Sequence, residues 1–242
     1  MRPVIAGLLL DVDDTLIDTR AAMVAAGATA VAKLWPQVGA EVHHAAGIHF
    51  HRDPSGSFGR FTTGELGFEQ MREVRIADLL EAFCLEAIDE VARQFEGVYG
   101  PAFLANVRLF DDVLPFVEAV STAGIRTGLL TNSAAHYTRQ KLEITGLEGV
   151  FAVVVTRDTL GFGKPDPRAF HHACELLGTS PSETGYVGDH IEIDAIAAKD
   201  AGLYAVWLQR DADDSWGARQ ADARGIPVVT SLEEVVALLD EV

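Results

Sequence analysis

Short apolar runs in this sequence are followed directly by residues that could bind a metal ion or act on phosphorus. Asp11-Val12-Asp13-Asp14-Thr15 follows Val4–Leu10, and Gly188-Asp189 follows Gly185–Val187, with Asp194 five residues on. Two further runs lead to Thr131-Asn132-Ser133 and to Gly163-Lys164-Pro165. Clustered carboxylates can hold a divalent cation or supply a nucleophile, and a lysine can balance negative charge on a reacting group.

These side chains must lie close together if the apolar runs are strands of one parallel sheet, because ligands bind beyond the carboxyl ends of such strands. Five aspartates would then converge: Asp11, Asp13, Asp14, Asp189 and Asp194. Like charges a few ångströms apart repel unless they protonate or share a cation. Oxygen-only ligands suit Mg²⁺, so the sequence predicts a magnesium site, whose charge would offset the net −17 of the chain near an anionic substrate.

The elements that position these residues alternate between strand and helix. This alternation predicts an α/β fold with a doubly wound, mainly parallel sheet covered on both faces. The predicted strands are Val4–Leu10, Ile125–Leu130, Phe151–Val155, Gly185–Val187, Tyr204–Leu208 and Pro227–Thr230. The predicted helices are Asp111–Ala123, Ser133–Ile144, Pro167–Leu177, Ile193–Ala201 and a last one that Ser231 caps.

A second, smaller domain interrupts this order directly after the first strand. Asp18–Trp35 and Glu65–Phe95 have helical patterns, and the polar stretch His49–Thr63 between them is predicted to be a loop. The expected domains are therefore a core of residues 1–15 and 105–242 and a helical insertion of residues 16–104.

The four motifs, in this order, resemble those of the haloacid dehalogenase superfamily: DxDxT at Asp11–Thr15, Thr131-Asn132, Lys164-Pro165 and GDxxxxD at Gly188–Asp194. The resemblance implies a Rossmann-like core with a helical cap that selects the substrate. It implies that Asp11 is the nucleophile forming an aspartyl-phosphate, that Asp13 protonates the leaving oxygen and then activates water, and that Lys164 stabilises the transition state. Thr131, the amide of Asn132 and Lys164 would bind the phosphate, and the magnesium site would comprise Asp11, Asp13, Asp189 and, as an outer-shell partner, Asp194.

Charge and hydropathy limit the partners. The net charge of −17 argues against a nucleic-acid surface, and no apolar stretch approaches the roughly 20 residues of a membrane-spanning helix. The N-terminal apolar run is too short for a signal peptide, so a cytoplasmic location is expected. A small-molecule phosphate ester is the expected partner, whereas the oligomeric state cannot be read from the sequence.

Several functions stay open at this point. Asp13 disfavours dehalogenation, because carbon–halogen cleavage needs no proton on the leaving group. A magnesium-dependent phosphatase is the preferred interpretation, and a phosphomutase is the alternative. From other classes, a phospho-acceptor signalling module and a phosphometabolite-binding protein without turnover are further alternatives. Nucleoside monophosphates, phosphoglycolate and sugar phosphates are candidate substrates, and Arg60 and Arg72 are cations of the insertion that could contact a second anionic group.

Overall fold

The computed structural model describes residues 5–210 and 214–240. The chain forms two compact units. A sheet unit comprises the residues up to Asp18 and from Leu109 onward, and a helical unit comprises Thr19–Arg108.

The sheet unit is built on six parallel strands in the order β3-β2-β1-β4-β5-β6. The doubly wound parallel sheet predicted from the sequence is therefore confirmed. The strands are β1 (Gly7–Leu10), β2 (Arg126–Leu130), β3 (Val153–Val155), β4 (Thr184–Gly188), β5 (Tyr204–Leu208) and β6 (Val228–Val229). The predicted first strand is too long, since β1 begins at Gly7, and Val4 lies outside the described residues.

Helices cover both faces of this sheet. Leu9 belongs to a core cluster with Phe170, Tyr186 and Trp207, whereas Leu8 and Leu10, which strand alternation places on the other face, are equally buried. A central strand buried on both faces explains why its sequence is continuously apolar. The helices are α6 (Val113–Thr122), α7 (Ala135–Ile144), α8 (Arg157–Leu160), α9 (Pro167–Leu177), α10 (Ala197–Asp200), α11 (Ser215–Arg224) and α12 (Leu232–Asp240).

The chain leaves and re-enters the sheet unit at adjacent points. Ile17 and Leu109 form an antiparallel bridge, and the amide of Phe110 donates to the carbonyl of Leu16 at 3.1 Å. Arg210, which follows β5, binds both the segment that leaves the sheet unit and the segment that returns to it. Its guanidinium donates to the carbonyl of Thr15 at 2.8 Å and to the two carboxylate oxygens of Asp112 at 2.9 and 3.0 Å. The departing and returning segments are thus fastened to each other within one unit.

The helical unit contains α1 (Thr19–Leu34), α2 (Ala40–Arg52), α3 (Ser57–Thr62), α4 (Phe68–Ala82) and α5 (Val91–Asn106). Its core is built around large side chains, including Trp35, Phe50, Phe95 and Tyr99. The prediction of a loop over His49–Thr63 is wrong, because Ala46, Gly47 and Phe50 continue a buried helical face and α3 follows. Of the described helices, none combines the length and apolar character needed to cross a membrane.

The helical pattern predicted over Glu65–Phe95 corresponds to two helices, α4 and α5. The break between them contains two residues in the left-handed backbone region, Cys84 at φ 49° and Glu90 at φ 49°. A left-handed residue cannot continue a right-handed helix, so the helix is interrupted here. The apolar spacing of the sequence continues through this break and therefore does not predict it.

Candidate active site

The loop after β1 turns sharply and fixes Asp11 just beyond the carboxyl end of this central strand. The amide of Asp11 donates to the carbonyl of Val187 at 2.9 Å, and the amides of Leu16 and Ile17 both return to the carbonyl of Val12 at 3.0 Å. Asp14 has a φ of 55°, a left-handed conformation that favours glycine and that aspartate adopts more readily than most other residues. The second aspartate of the Asp13-Asp14 pair is thus explained by the turn that it occupies.

The segment after β4 brings Asp194 back towards the strand end. Residues Ile191–Ile196 form a π-helical turn, whose hydrogen bonds span five residues instead of four. The helix predicted over Ile193–Ala201 therefore begins two residues earlier, with this turn. The amide of His190 donates to Asp194 Oδ2 at 3.0 Å, and the imidazole Nδ1 of His190 accepts from the amides of Glu192 and Ile193. At Gly188 an added Cβ would lie 2.5 Å from Asp194 Cγ. The GDxxxxD spacing therefore folds its second aspartate directly over the glycine.

Three carboxylates meet at this edge of the sheet. Asp11, Asp189 and Asp194 each offer an oxygen, and these oxygens lie within 4.8 Å of one another. Burial raises the pKa of Asp11 to about 7, with the charges of Asp194 and Asp13 adding to the effect and Lys164 opposing it. Burial, followed by the charges of Asp194 and Asp11, also raises the pKa of Asp189 well above its ordinary value.

The donor set fits a hard divalent cation. All three groups are carboxylates, and their charges repel one another. Burial, and after it this repulsion, raises the pKa values of Asp11 and Asp189, so both conditions disfavour their ionised forms in the absence of a cation. A cation with oxygen ligands would relieve this repulsion without requiring protonation.

Lys164 supplies the buried positive charge of the cluster. Its Nζ lies 2.8 Å from Asp11 Oδ1 and 2.6 Å from Asp194 Oδ1, and it donates to the hydroxyl of Tyr186 at 2.8 Å. Burial alone would lower the pKa of Lys164, but the carboxylates of Asp11 and Asp194 outweigh it and raise the pKa. The lysine therefore stays charged at the bottom of the site, in contact with the carboxylate predicted to attack phosphorus.

The side chain of Asn132 holds the loop that carries this lysine. Asn132 Oδ1 accepts from the amide of Lys164 at 2.8 Å, and Asn132 Nδ2 donates to the carbonyl of Lys164 at 2.8 Å. A Cβ at Gly163 would overlap Asn132 Oδ1, so the close approach requires glycine there. The hydroxyl of Thr131, buried beside it, accepts from the amide of Ser133 at 3.1 Å.

Asp13 has a partner that the sequence motifs do not identify. Lys141 Nζ lies 2.6 Å from Asp13 Oδ1 and 2.8 Å from Asp13 Oδ2, and it donates to the hydroxyl of Ser133 at 3.3 Å. The Lys141 side chain is 3% exposed, whereas that of Asp13 is 29% exposed. A signal was available in the sequence, because helical spacing puts Lys141 on the same face of α7 as the buried residues Thr138 and Leu142.

Two more residues of the site lie in strands that the sequence predicts without assigning their side chains a role. The hydroxyl of Tyr186 is within hydrogen-bond distance of Asp194 Oδ1 (3.0 Å) and of the carbonyl of Leu130 (3.2 Å). The indole of Trp207 donates to the carbonyl of Asp189 at 2.7 Å. The sequence predicts both aromatic residues to be ordinary core residues, but their polar atoms form hydrogen bonds with Asp194 and Asp189.

The predicted site residues of the sheet unit follow the carboxyl ends of β1, β2 and β4 or lie in the loop that carries Lys164. Of these, Asp11, Asp189, Asp194 and Lys164 are brought together directly. The two arginines of the helical unit that the sequence suggested for a second anionic group, Arg60 and Arg72, are paired within that unit. Arg60 binds Glu65 at the surface, and the buried Arg72 binds Glu96 and lies over the rings of Phe50 and Tyr99. Neither arginine presents an uncompensated charge.

Comparisons with known proteins show which family the chain matches. A family model described as haloacid dehalogenase-like hydrolase matches residues 5–202. A phosphoglycolate phosphatase of Xylella fastidiosa (strain 9a5c) is 30% identical over 218 residues, which are 89% of this chain and 86% of that protein. A phosphoserine phosphatase of Thermus thermophilus is 34% identical over 119 residues, 49% of this chain and 45% of that protein.

Coverage of the relatives is uneven, since the chain spans less than half the length of several curated relatives that it matches, the Thermus enzyme included. Among solved structures, YfnB from Bacillus subtilis bound to magnesium superposes with a TM-score of 0.79 at 22% identity, covering 98% of this chain and 99% of that one. At that identity the superposition shows a shared fold.

Proposed function

The chain belongs to the haloacid dehalogenase-like hydrolase family, and from this membership we propose that it is a magnesium-dependent phosphatase acting on a small-molecule phosphate monoester. The observation that carries the proposal is the meeting of Asp11, Asp189 and Asp194 within 4.8 Å, with Lys164 Nζ 2.8 Å from Asp11. One nucleophilic carboxylate, further oxygen ligands and one fixed cation are the parts that phosphoryl transfer to a carboxylate requires.

In the proposed reaction, a carboxylate oxygen of Asp11 bonds to phosphorus while the bond from phosphorus to the ester oxygen breaks. Asp13 gives its proton to that ester oxygen, and an alcohol leaves. Asp13, now a carboxylate, takes a proton from a water molecule that attacks the aspartyl-phosphate, which releases inorganic phosphate and regenerates Asp11. Lys164 balances the charge that spreads over the phosphoryl oxygens in both steps.

Magnesium would be held by Asp11, Asp189, the backbone carbonyl of Asp13 and, through its outer shell, Asp194. When bound, it would supply positive charge that neutralises the phosphate and permits Asp11 to attack as a carboxylate. Thr131 and the amide of Asn132 would hold the phosphoryl oxygens, with the threonine positioned by its hydrogen bond to the amide of Ser133.

Asp13 favours a phosphatase over a dehalogenase within this family. A halide leaves as a stable anion and needs no proton, whereas an alkoxide needs one, and this difference gives a second aspartate a use only in ester cleavage. The names of the phosphatase relatives support phosphoglycolate and phosphoserine as the first esters to test.

We also assign the helical unit, Thr19–Arg108, the role of the substrate-selecting cap. Replacing it by a short glycine–serine linker is expected to remove discrimination between esters while leaving hydrolysis of p-nitrophenyl phosphate detectable. An unchanged ranking of esters in that variant would contradict the assignment.

The test of the proposed function is phosphate release from a panel of esters that includes phosphoglycolate, phosphoserine, sugar phosphates, nucleoside monophosphates and p-nitrophenyl phosphate. Each is measured with Mg²⁺, with excess chelator and with the Asp11→Asn variant as blank. Release that requires Mg²⁺ and is absent from Asp11→Asn would support the phosphatase. Equal release with chelator, or from Asp11→Asn, would contradict it, and turnover of a phosphosugar without phosphate release would favour a phosphomutase.

A further inference from the structure

We propose that Lys141 is a positioning residue for the proton-transfer step, acting through Asp13. The inference rests on the proposed function and deepens it, because it assigns a role to a residue outside the four motifs. Two observations lead to it, the arrangement of the hydrogen bonds and the unequal exposure of the two side chains, together with the role proposed for Asp13.

The ammonium of Lys141 has an acceptor for each of its hydrogens. It has three hydrogens, and three acceptors lie within reach, namely the two carboxylate oxygens of Asp13 and the hydroxyl of Ser133. Contact with both oxygens fixes the rotation of the carboxylate as well as its location. A single hydrogen bond would leave that rotation free.

The two side chains of this contact differ in their exposure to solvent. Lys141 is 3% exposed and reaches Asp13 from inside the protein, whereas Asp13 keeps a side-chain exposure of 29%. The lysine is thus the buried support, and the aspartate remains accessible to water or substrate. In such a setting a charged hydrogen bond is stronger than at the surface, because less water competes for it.

The reaction gives this support a function. When Asp13 transfers its proton to the ester oxygen, a carboxylate is formed 2.6 to 2.8 Å from the ammonium of Lys141. The lysine holds Asp13 in place for this transfer and stabilises the carboxylate as it forms. The benefit is greatest for esters whose leaving oxygen needs the proton most, which are alkyl esters, and smallest for p-nitrophenyl phosphate, whose leaving group is already a stable anion.

The experiment compares kcat for an alkyl phosphate of the panel and for p-nitrophenyl phosphate in wild type, Lys141→Met, Lys141→Arg and the matched control Lys199→Met. Lys199 lies exposed on α10, so its replacement changes the net charge equally without touching the site. We expect Lys141→Met to lower kcat about 10²-fold on the alkyl ester and less than about tenfold on p-nitrophenyl phosphate, with partial recovery in Lys141→Arg.

A double-variant cycle isolates the route of the effect. If Lys141 acts through Asp13, adding Lys141→Met to Asp13→Asn should cause little further loss, because the carboxylate it supports is already gone. Equal losses on both esters, or full additivity with Asp13→Asn, would overturn the inference and leave the proposed function intact. A wild-type protein that releases phosphate from neither ester would overturn the proposed function and, with it, this inference.

Discussion

The side chain of Asn132 brackets the backbone of Lys164, accepting from its amide and donating to its carbonyl, both at 2.8 Å. The two residues are 32 positions apart, and this pair of bonds connects the end of β2 to the loop before α9. The lysine is therefore positioned by a neighbouring motif as well as by its own loop.

Asn132→Ala tests that relationship, since it removes both bonds and keeps the backbone amide that is proposed to bind phosphate. We expect kcat to fall about 10- to 10²-fold, because loss of positioning at an electrostatic stabiliser costs most of its benefit. Steady-state kinetics on the preferred ester will measure this, with Asn106→Ala, at a surface asparagine of α5, as the control. A rate within twofold of wild type would show that Lys164 holds its place without Asn132.

Lys164→Met should have the larger effect on turnover. Removing the charge that lies 2.8 Å from Asp11 and 2.6 Å from Asp194 is expected to lower kcat by on the order of 10²-fold or more, as for other lost electrostatic stabilisers. Stopped-flow or steady-state rates with saturating Mg²⁺ would measure the loss, against Lys199→Met as the control. Near-normal turnover would contradict the role assigned to this lysine.

Tyr186→Phe removes one hydroxyl from the buried network around Lys164 and Asp194. The hydroxyl accepts from Lys164 at 2.8 Å, so its loss leaves a buried ammonium hydrogen without that acceptor. We expect the free energy of unfolding to fall by about 1–3 kcal/mol, the usual cost of an unsatisfied buried group. Chemical denaturation measures it, with Tyr204→Phe on β5 as the comparison, and equal stability of the two variants would count against the network.

The acidic cluster predicts how stability depends on pH without metal. Folding raises the pKa of Asp11 from 3.8 to about 7, and that of Asp189 rises too, so between these values the folded protein binds more protons than the unfolded chain. The free energy of unfolding should therefore fall as pH rises from about 4 to 7. Asp53 and Asp112, whose pKa values are lowered, change stability only below that range.

Thermal unfolding in chelator at pH 5.5 and pH 8 will test this, with Asp11→Asn and added Mg²⁺ as comparisons. Asp11→Asn should unfold with a weaker pH dependence than wild type, because its side chain cannot titrate. Magnesium should raise stability more at pH 8 than at pH 5.5, because fewer protons then compete with it for the carboxylate of Asp11. The same pH dependence in wild type and Asp11→Asn would mean that Asp11 ionises normally in the folded protein.

Much of the sheet unit could be predicted from the sequence because its signals are local. Continuous apolar runs such as Leu8–Leu10 identify strands buried on both faces, and the polar residues that follow each run identify the strand ends. The positions of Asp11, Thr131 and Asp189 follow from those two facts. Their proximity is then a consequence of sheet order.

The rest depends on contacts between distant segments or on backbone geometry that residue types do not reveal. Lys141 reads as a surface lysine of a helix until the face it shares with Thr138 and Leu142 is known to pack inward. The π-helical turn over Ile191–Ile196 has no pattern of its own in the sequence. In the helical unit, apolar spacing continued through the left-handed residues Cys84 and Glu90, and the polar character of His49–Thr63 concealed two helical segments.

Arg210, which binds both Thr15 and Asp112, bears on how the inserted unit could be exchanged. The two ends of the insertion are neighbours within the sheet unit, so connecting them through another segment has a small cost in loop-closure entropy. Other segments, long or short, could be grafted between Asp18 and Leu109 without reshaping the catalytic scaffold. The junction is therefore a suitable place to exchange inserted segments in the laboratory, and mutation of Arg210 would weaken the contact between its two sides.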